Sequence, residues 1–310
     1  MDLLHRSEAA QGGTPPSRSA SSPGDETMPS AHDVAVLQAH PRFAEAVHTM
    51  MHGIVAVYQG NRVLNQVMND RGRAIFGMLA IYLHFSSDDG QPSLSAARMK
   101  ALCTETGLCS AGRATAMLLL MRYAGYLVPG PHGSDRRMRP LVPTELMLNS
   151  QRERLACHFR AMSLLMPEGK SGLANLYRED FLSALARRFG ASFRAGFRFL
   201  DSSPALYPLA ERNAGMMILF SLFLASEPQA PIPQPFTLSV SALSRRFSIS
   251  RPHVLNVLRD AERLGFVART GDGDELLAVC PPLSAALNDF AATVFLYLAQ
   301  CVRHSLDETG

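Results

Sequence analysis

The chain has 310 residues, of which 47% are hydrophobic and 18% charged, a composition that supports one or two globular domains with sizeable cores. Its net charge of +3 suits a nucleic-acid partner and equally suits many enzymes, so charge alone excludes little. The longest apolar stretches, 75–85 and 216–225, are shorter than the roughly 20 residues that span a bilayer. The five cysteines are odd in number and lack paired metal-ligand spacing. We therefore expect a cytoplasmic protein with reduced thiols, no membrane span and no cofactor.

The N-terminal residues 1–35 are rich in Ser, Pro, Gly and Ala and show no apolar period. Such a segment cannot bury enough apolar surface to offset the entropy of ordering it. We predict a disordered tail here. Met28 stands just before the first patterned segment and is an alternative start of the protein.

An internal repeat organises the rest of the chain. The apolar positions of 71–85 coincide with those of 212–226 at an offset of 141, and 109–127 match 249–267 at an offset of 140. One gap in the intervening polar or Pro-rich loop reconciles the two offsets. We predict an internal duplication with segments 36–165 and 173–310, each opening with an aromatic-bearing amphipathic helix. The predicted break between them, 166–172, is rich in Pro, Gly, Lys and Ser.

Each copy contains the pattern of a winged helix-turn-helix unit. In copy one, a helix over 94–106 precedes a tight turn, and Ser110 is the N-cap of a second helix that runs to about Ala124. A strand then starts at Gly125, and 136–142 is a candidate returning strand. Copy two repeats this order with the following segments: helix 240–247, N-cap Ser250, helix 251–264, strand 265–269, turn 270–274 and strand 275–280. The predicted fold class is mainly α with small β-hairpin wings.

One stretch of copy two resembles a known family. Residues 258–267, with the sequence Leu-Arg-Asp-Ala-Glu-Arg-Leu-Gly-Phe-Val, are similar to the end of the recognition helix and the first wing strand of MarR-type regulators. Residues 117–127 match more loosely. The resemblance covers about 75 residues per copy and implies DNA binding by the second helix and the wing. MarR-like chains normally carry one unit and dimerise, so the two units here imply an intramolecular pseudo-dimer or a homodimer.

A winged helix binds double-stranded DNA through the N-terminal part of its second helix and through basic residues around it. The candidate DNA-binding residues of copy one are Arg98, Lys100, Ser110, Arg113, Thr115 and the wing residues Arg136, Arg137 and Arg139. Those of copy two are Arg245, Arg246, Ser250, Arg251, His253 and Asn256. The net charge is +4 over 94–147 and zero over 238–290, where Asp272, Asp274 and Glu275 make the wing acidic. Copy one is therefore the predicted stronger phosphate binder.

The leading hypothesis is a transcription regulator. A winged-helix protein-interaction scaffold, similar to chromosome-segregation subunits, and a plasmid-type replication initiator are the alternatives. The chain shows no nucleophile elbow, no phosphate-binding Gly-rich loop and no zinc framework, so we expect no enzyme activity.

Three weaker features complete the sequence-based hypotheses. His48 and His52 have helical metal-ligand spacing, and Cys103 and Cys109 flank the first helix-turn-helix turn as a candidate redox switch. An apolar stripe recurs every fourth residue as Phe181, Leu185, Phe189, Phe193 and Phe197, and an apolar helix ends the chain. These helices are mainly core, and a small apolar effector is a possible ligand among them.

Overall fold

A computed structural model describes residues 29–86, 94–131, 140–226, 235–270 and 276–310. The first half begins with two helix pairs and ends with a helix-turn-helix, a hairpin and a long helix. Its elements are α1 (Ala31–Gln38), α2 (Phe43–Tyr58), α3 (Arg62–Met68), α4 (Arg71–Phe85), α5 (Ala96–Glu105), α6 (Ala111–Tyr123), β1 (Leu127–Pro129), β2 (Leu141–Pro143) and α7 (Glu145–Met162).

The second half follows the same order with one extra strand. Its elements are α8 (Pro167–Asn175), α9 (Glu179–Arg194), α10 (Tyr207–Ala210, preceded by a 3₁₀ turn), α11 (Gly215–Ala225), β3 (Phe236–Thr237), α12 (Val240–Phe247), α13 (Arg251–Arg263), β4 (Val267–Arg269), β5 (Leu276–Val279) and α14 (Pro281–Thr309). Strands β1 and β2 pair antiparallel, and β5 lies between β3 and β4. The predicted class, mainly α with small β-hairpins, is confirmed. The duplication itself stays a prediction.

The two halves pack against each other in a symmetric way. Helix α2 packs on α7 of its own half and on α11 of the other half, and α9 correspondingly packs on α14 and on α4. The short helices follow the same rule, because α1 lies on α14 and α8 lies on α7. The buried side chains form one continuous hydrophobic core. The intramolecular pseudo-dimer, like the duplication, stays a prediction.

Helix α8 covers the segment that the sequence analysis assigns to a break between the copies. Pro167 occupies the first turn of the helix, where its missing N–H costs nothing. A Cβ on Gly169 would lie 2.1 Å from the backbone nitrogen of Ser163, and a Cβ on Gly172 would lie 2.9 Å from the ring of Phe159. These glycines therefore permit close packing of α8 on α7. The glycines that predict a linker in the sequence are thus the residues that allow α8 to pack closely on α7.

Helix α1 overlaps the end of the predicted disordered tail. The Ser30 hydroxyl accepts from the Asp33 amide, and the Asp33 carboxylate accepts from the Ser30 amide, which forms a capping box. Leu37 is buried, and the Gln38 amide donates to Asp289 on α14 at 2.8 Å. Residues 31–35 are thus helical. Residues 1–28, including the alternative start Met28, lie outside the described part of the chain.

Helix α14 is long and apolar enough to cross a membrane by length and composition alone. However, 67% of its apolar window is buried in the protein. It packs against α9, α8 and α1. Among the described residues, α14 therefore serves as the central core helix of the second half.

Candidate nucleic-acid interface and central cavity

We call α6 and α13, the second helices of the two predicted units, the candidate recognition helices, and both begin with the same cap. The Ser110 hydroxyl accepts a hydrogen bond from the Arg113 amide, and the Ser250 hydroxyl accepts one from the His253 amide, both at 3.3 Å. Both serines are exposed. The amides of Ala111 and Gly112 in α6 and of Arg251 in α13, where Pro252 has no N–H, are left at the surface, and a helix N-terminus attracts phosphate.

Helix α13 presents a polar outer face. Arg251, Asn256 and Arg259 are exposed, and the Asn256 side-chain oxygen accepts from the Arg259 guanidinium at 3.2 Å. His253 differs from its neighbours, because its Nε2 donates to the Asn213 carbonyl at 2.9 Å. Arg251 and Asn256 thus lie at the exposed surface. The hydrogen bond of His253 fixes the start of the helix.

Helix α6 presents a largely apolar outer face. Arg113 and Thr115 are exposed near its start, but the Thr115 hydroxyl donates to the Ala111 carbonyl at 3.0 Å. Further along, Leu119 is 57% exposed and Tyr123 is 91% exposed. The sequence gives no signal for these two exposed apolar residues, because a helix with apolar residues on every side is usually buried.

The other candidate DNA-binding residues lie around the two helices. Arg98 is half-buried and donates to the Ser86 carbonyl at 3.4 Å, and Lys100 is also half-buried. Arg245 is exposed, whereas Arg246 is half-buried and its carbonyl accepts from the Gly60 amide at 3.1 Å. The wing residues of both copies lie outside the described residues; they are Arg136, Arg137, Arg139, Asp272, Asp274 and Glu275.

A short segment, 211–214, holds the two halves and α13 together, and we call it the junction. Glu211 forms an ion pair with Arg71 at the start of α4, and the Ala214 amide donates to the Asn69 carbonyl at 2.9 Å. On the other side, Arg212 pairs with Asp260 of α13 at 2.6 Å. Glu211 and Arg113 also line one small surface pocket. Both recognition helices therefore begin beside the junction.

A cavity of about 210 Å³ lies between the two halves. Its wall is mainly apolar and comes from α2, α4, α7, α9, α11 and α14. Representative lining residues are Met50, Ile75, Met78, Phe189, Met217 and Phe220. The predicted apolar stripe thus contributes Leu185 and Phe189 to a cavity wall, and its other members Phe181, Phe193 and Phe197 are buried.

Three polar side chains of α7 line one side of this cavity: Gln151, Arg154 and His158. The His158 Nδ1 donates to the Arg154 carbonyl at 2.8 Å, which leaves Nε2 as an acceptor. Burial lowers the pKa of His158 to about 4, so the imidazole is neutral at pH 7. The Arg154 guanidinium donates to the Gln151 side-chain oxygen at 3.2 Å.

The histidine pair and the cysteine pair gain no support as chemical sites. His48 and His52 are exposed and their rings stack at 6.4 Å, but no group of three or more His, Cys, Asp or Glu that could hold a metal occurs among the described residues. Cys103 is buried, and burial together with nearby Cys109 raises the pKa of its thiol to about 12. A thiol that rarely ionises reacts slowly with oxidants, which disfavours the redox switch.

Comparison with protein-family models and with curated proteins gives no match. The MarR-like resemblance therefore stays a sequence-based prediction. Sequence reasoning also missed Arg154 and His158, although their spacing of four on an amphipathic helix signals that they share one face.

Proposed function

We propose that the protein is a DNA-binding transcription regulator that uses two winged helices in one chain. The observation that carries this proposal is the exposed polar face of α13, where Arg251 and Asn256 follow directly on a capped helix N-terminus. Arg245 lies exposed at the end of the preceding helix. The proposed role is binding, with no catalytic step.

The chemistry of this face fits duplex DNA. The Arg251 amide at the start of α13 and the guanidinium groups of Arg245 and Arg251 suit phosphate oxygens. Asn256 suits adenine, whose N6 and N7 pair with a side-chain amide in the major groove. In copy one the corresponding contribution comes from Arg113 and from the wing arginines of the sequence analysis.

The test is a selection of bound sequences from a random duplex pool, followed by affinity measurements at several salt concentrations. A regulator yields a defined half-site or palindrome, and its affinity falls with salt in proportion to the phosphates contacted. Changing Arg136, Arg137 and Arg139 together to Ala should lower the slope of log affinity against log salt by up to about three. No selected sequence and no salt dependence would refute the proposal.

Arg303→Ala is a single-charge control for this experiment. Arg303 is exposed on α14, 22 residues after the start of that helix and outside both predicted winged helices. It pairs with Glu168 of α8. The loss of one positive charge there should leave the salt slope unchanged.

A protein-interaction scaffold is the second candidate function, and the apolar face of α6 favours it. Tyr123 and Leu119 are accompanied by Val128 on β1 and Leu146 on α7, which are 42% and 53% exposed. Exposed large apolar side chains in one region are typical of protein contacts. Stable co-purification of a protein partner, lost in the variant Leu119→Ser with Tyr123→Ser and indifferent to DNA, would select this function instead.

A further inference from the structure

We propose that the cavity between the two halves binds a small apolar monocarboxylic acid. Its carboxylate would face Arg154 on α7 and its hydrocarbon part would lie against α14. The cavity is an observation independent of DNA binding. Its regulatory consequence, given below, rests on the proposed function.

The two long helices on opposite sides of the cavity stand in the same register. The amide that precedes α7, from Thr144, donates to the Tyr126 carbonyl at 2.9 Å. The amide that precedes α14, from Cys280, donates to the Phe266 carbonyl at the same distance. Position 144 therefore corresponds to position 280, and the offset between the two helices is 136.

This register shows that equivalent positions of the two helices differ in polarity. Arg154 corresponds to Phe290, and His158 corresponds to Val294, and all four residues line the cavity. At these two positions the α7 wall is polar and the α14 wall apolar, and the one hydroxyl that α14 adds to the lining is that of Tyr297. A ligand with a polar head and an apolar body satisfies both walls, whereas a purely apolar ligand would leave the polar side chains without partners.

The charge of Arg154 indicates the chemistry of the head. Its guanidinium contacts the Gln151 oxygen and the Met68 sulfur, at 3.2 and 3.7 Å. In the described part of the chain no carboxylate lies within 4 Å of it, although many other arginines form ion pairs. A ligand carboxylate supplies the missing partner with charge-assisted hydrogen bonds.

The remaining polar groups limit the ligand to one negative charge. Arg71 and Asp70 also line the cavity, but Arg71 already pairs with Glu211 and Asp70 already pairs with Arg73. His158 is neutral, and its Nε2 accepts a hydrogen bond without adding positive charge. Asn69 is 8% exposed, lines the cavity, and its side-chain oxygen has no hydrogen-bond partner. One cation and two acceptors suit a monoanion that also carries a hydroxyl or a bound water.

The size of the cavity suits a compact acid. Its volume of about 210 Å³ exceeds the roughly 150 Å³ that holds a benzene molecule in an apolar cavity. Hexanoate and benzoate are of this size. Both place one carboxylate at one end of an apolar body.

The cavity is directly connected to the junction. Asn69 and Arg71 line the cavity, and they also bind the junction residues Ala214 and Glu211. Because the junction fixes the start of α13 through His253, occupation of the cavity would change how the recognition helix is held. If the protein is a DNA-binding regulator, such an acid is its effector.

The experiment measures binding of hexanoate and of 1-hexanol to the full chain by calorimetry at pH 7, without DNA. We expect hexanoate to bind at least about tenfold more tightly than 1-hexanol, because the charge-assisted hydrogen bonds are made only by the acid. Arg154→Gln should abolish this preference while 1-hexanol still binds. Arg160→Gln, an exposed arginine on the same helix, should keep it.

A second variant guards against loss of folding. Ala74 lines the cavity and is half-buried, so that Ala74→Leu should fill space and remove binding of both probes without lowering the unfolding temperature. Equal affinities for hexanoate and 1-hexanol, or no binding of hexanoate at millimolar concentration, would overturn the proposal. Since no DNA is present, this outcome is separable from failure of the proposed function.

Discussion

Without their wings, the two helix-turn-helix units differ in the surface they present and not in their net charge. Residues 94–124 of copy one contain four Arg and Lys against one Glu, and residues 238–264 of copy two contain five Arg against two acidic residues. Each unit is therefore +3. Yet α13 exposes Arg251 and Asn256, whereas α6 exposes Leu119 and Tyr123 along much of its length.

If the protein binds DNA as proposed, this contrast predicts that the position of charge on each helix decides more than its amount. The predicted advantage of copy one as a phosphate binder depends on its wing, which lies outside the described residues. Within the helices, the better candidate for reading bases is α13 of copy two. We therefore expect an unequal pair, in which one unit reads sequence and the other contributes phosphate contacts or binds protein.

Paired variants of the two recognition helices test this inequality and have the largest expected effect. Changing Arg251 and Asn256 together to Ala should weaken binding to the selected duplex by about 100-fold, since each base contact contributes about 1–3 kcal/mol. Changing Arg113 and Thr115 together to Ala should weaken it by about tenfold or less. Fluorescence anisotropy at one fixed salt concentration measures both.

Both variants need a check of their fold, and all four side chains are at the surface or nearly so. Their unfolding free energies should stay within about 0.5 kcal/mol of the parent. If the α6 variant loses as much affinity as the α13 variant, the two units read DNA equally and the comparison fails.

The two halves also differ in the cavity, where His158 of α7 corresponds to Val294 of α14. The second largest effect is expected from this histidine. Burial holds the pKa of His158 at about 4, below the value of about 6.5 in an unfolded chain. Above pH 6.5 the imidazole is neutral in both states and has no effect. Between pH 6.5 and 4 only the unfolded chain binds the proton. The free energy of unfolding therefore decreases as the pH is lowered through this range. We expect a loss of about 2 kcal/mol between pH 7 and 4.5 from this residue.

His158→Asn should remove that loss, because Asn still donates to the Arg154 carbonyl but does not titrate. Urea unfolding at pH 7 and at pH 4.5 measures the difference between parent and variant. His48→Asn, an exposed histidine on α2, serves as the control and should keep the parent's acid sensitivity. Equal pH dependence of the parent and His158→Asn would contradict the assignment of a neutral, buried His158.

The elements with a strong local signal could be predicted from the sequence. Serine N-caps mark the starts of α6 and α13, and these helices begin and end within one residue of the predicted bounds. Helix α8 could not be predicted, because its glycines look like a linker until α7 is placed against them. The local sequence therefore predicts a helix cap, but it does not predict which helix packs against a segment.

The cavity shows the same limit for the candidate site. The sequence predicts that the helices around Phe189 form a core or an effector pocket, and it predicts Arg251 and Asn256 as surface residues. It does not show that Arg154 and His158 face Phe290 and Val294, because that relation depends on how the two halves dock. Contacts between residues more than 100 positions apart leave no periodic signal in either segment.

The smallest expected effect comes from a variant that should stabilise α6 without changing its binding to DNA. Gly112 in α6 corresponds to Pro252 in α13 at the offset of 140, and a Cβ on Gly112 meets no atom within 4 Å. Gly112→Ala should therefore raise the unfolding free energy by about 0.5–1 kcal/mol through helix propensity. Urea unfolding measures this gain.

The DNA affinity of Gly112→Ala should stay within about twofold of the parent, since the outer face of α6 keeps its charges. A marked loss of affinity would instead place the backbone of α6 against DNA, because glycine permits such close approach, and the two units would then read DNA by different means.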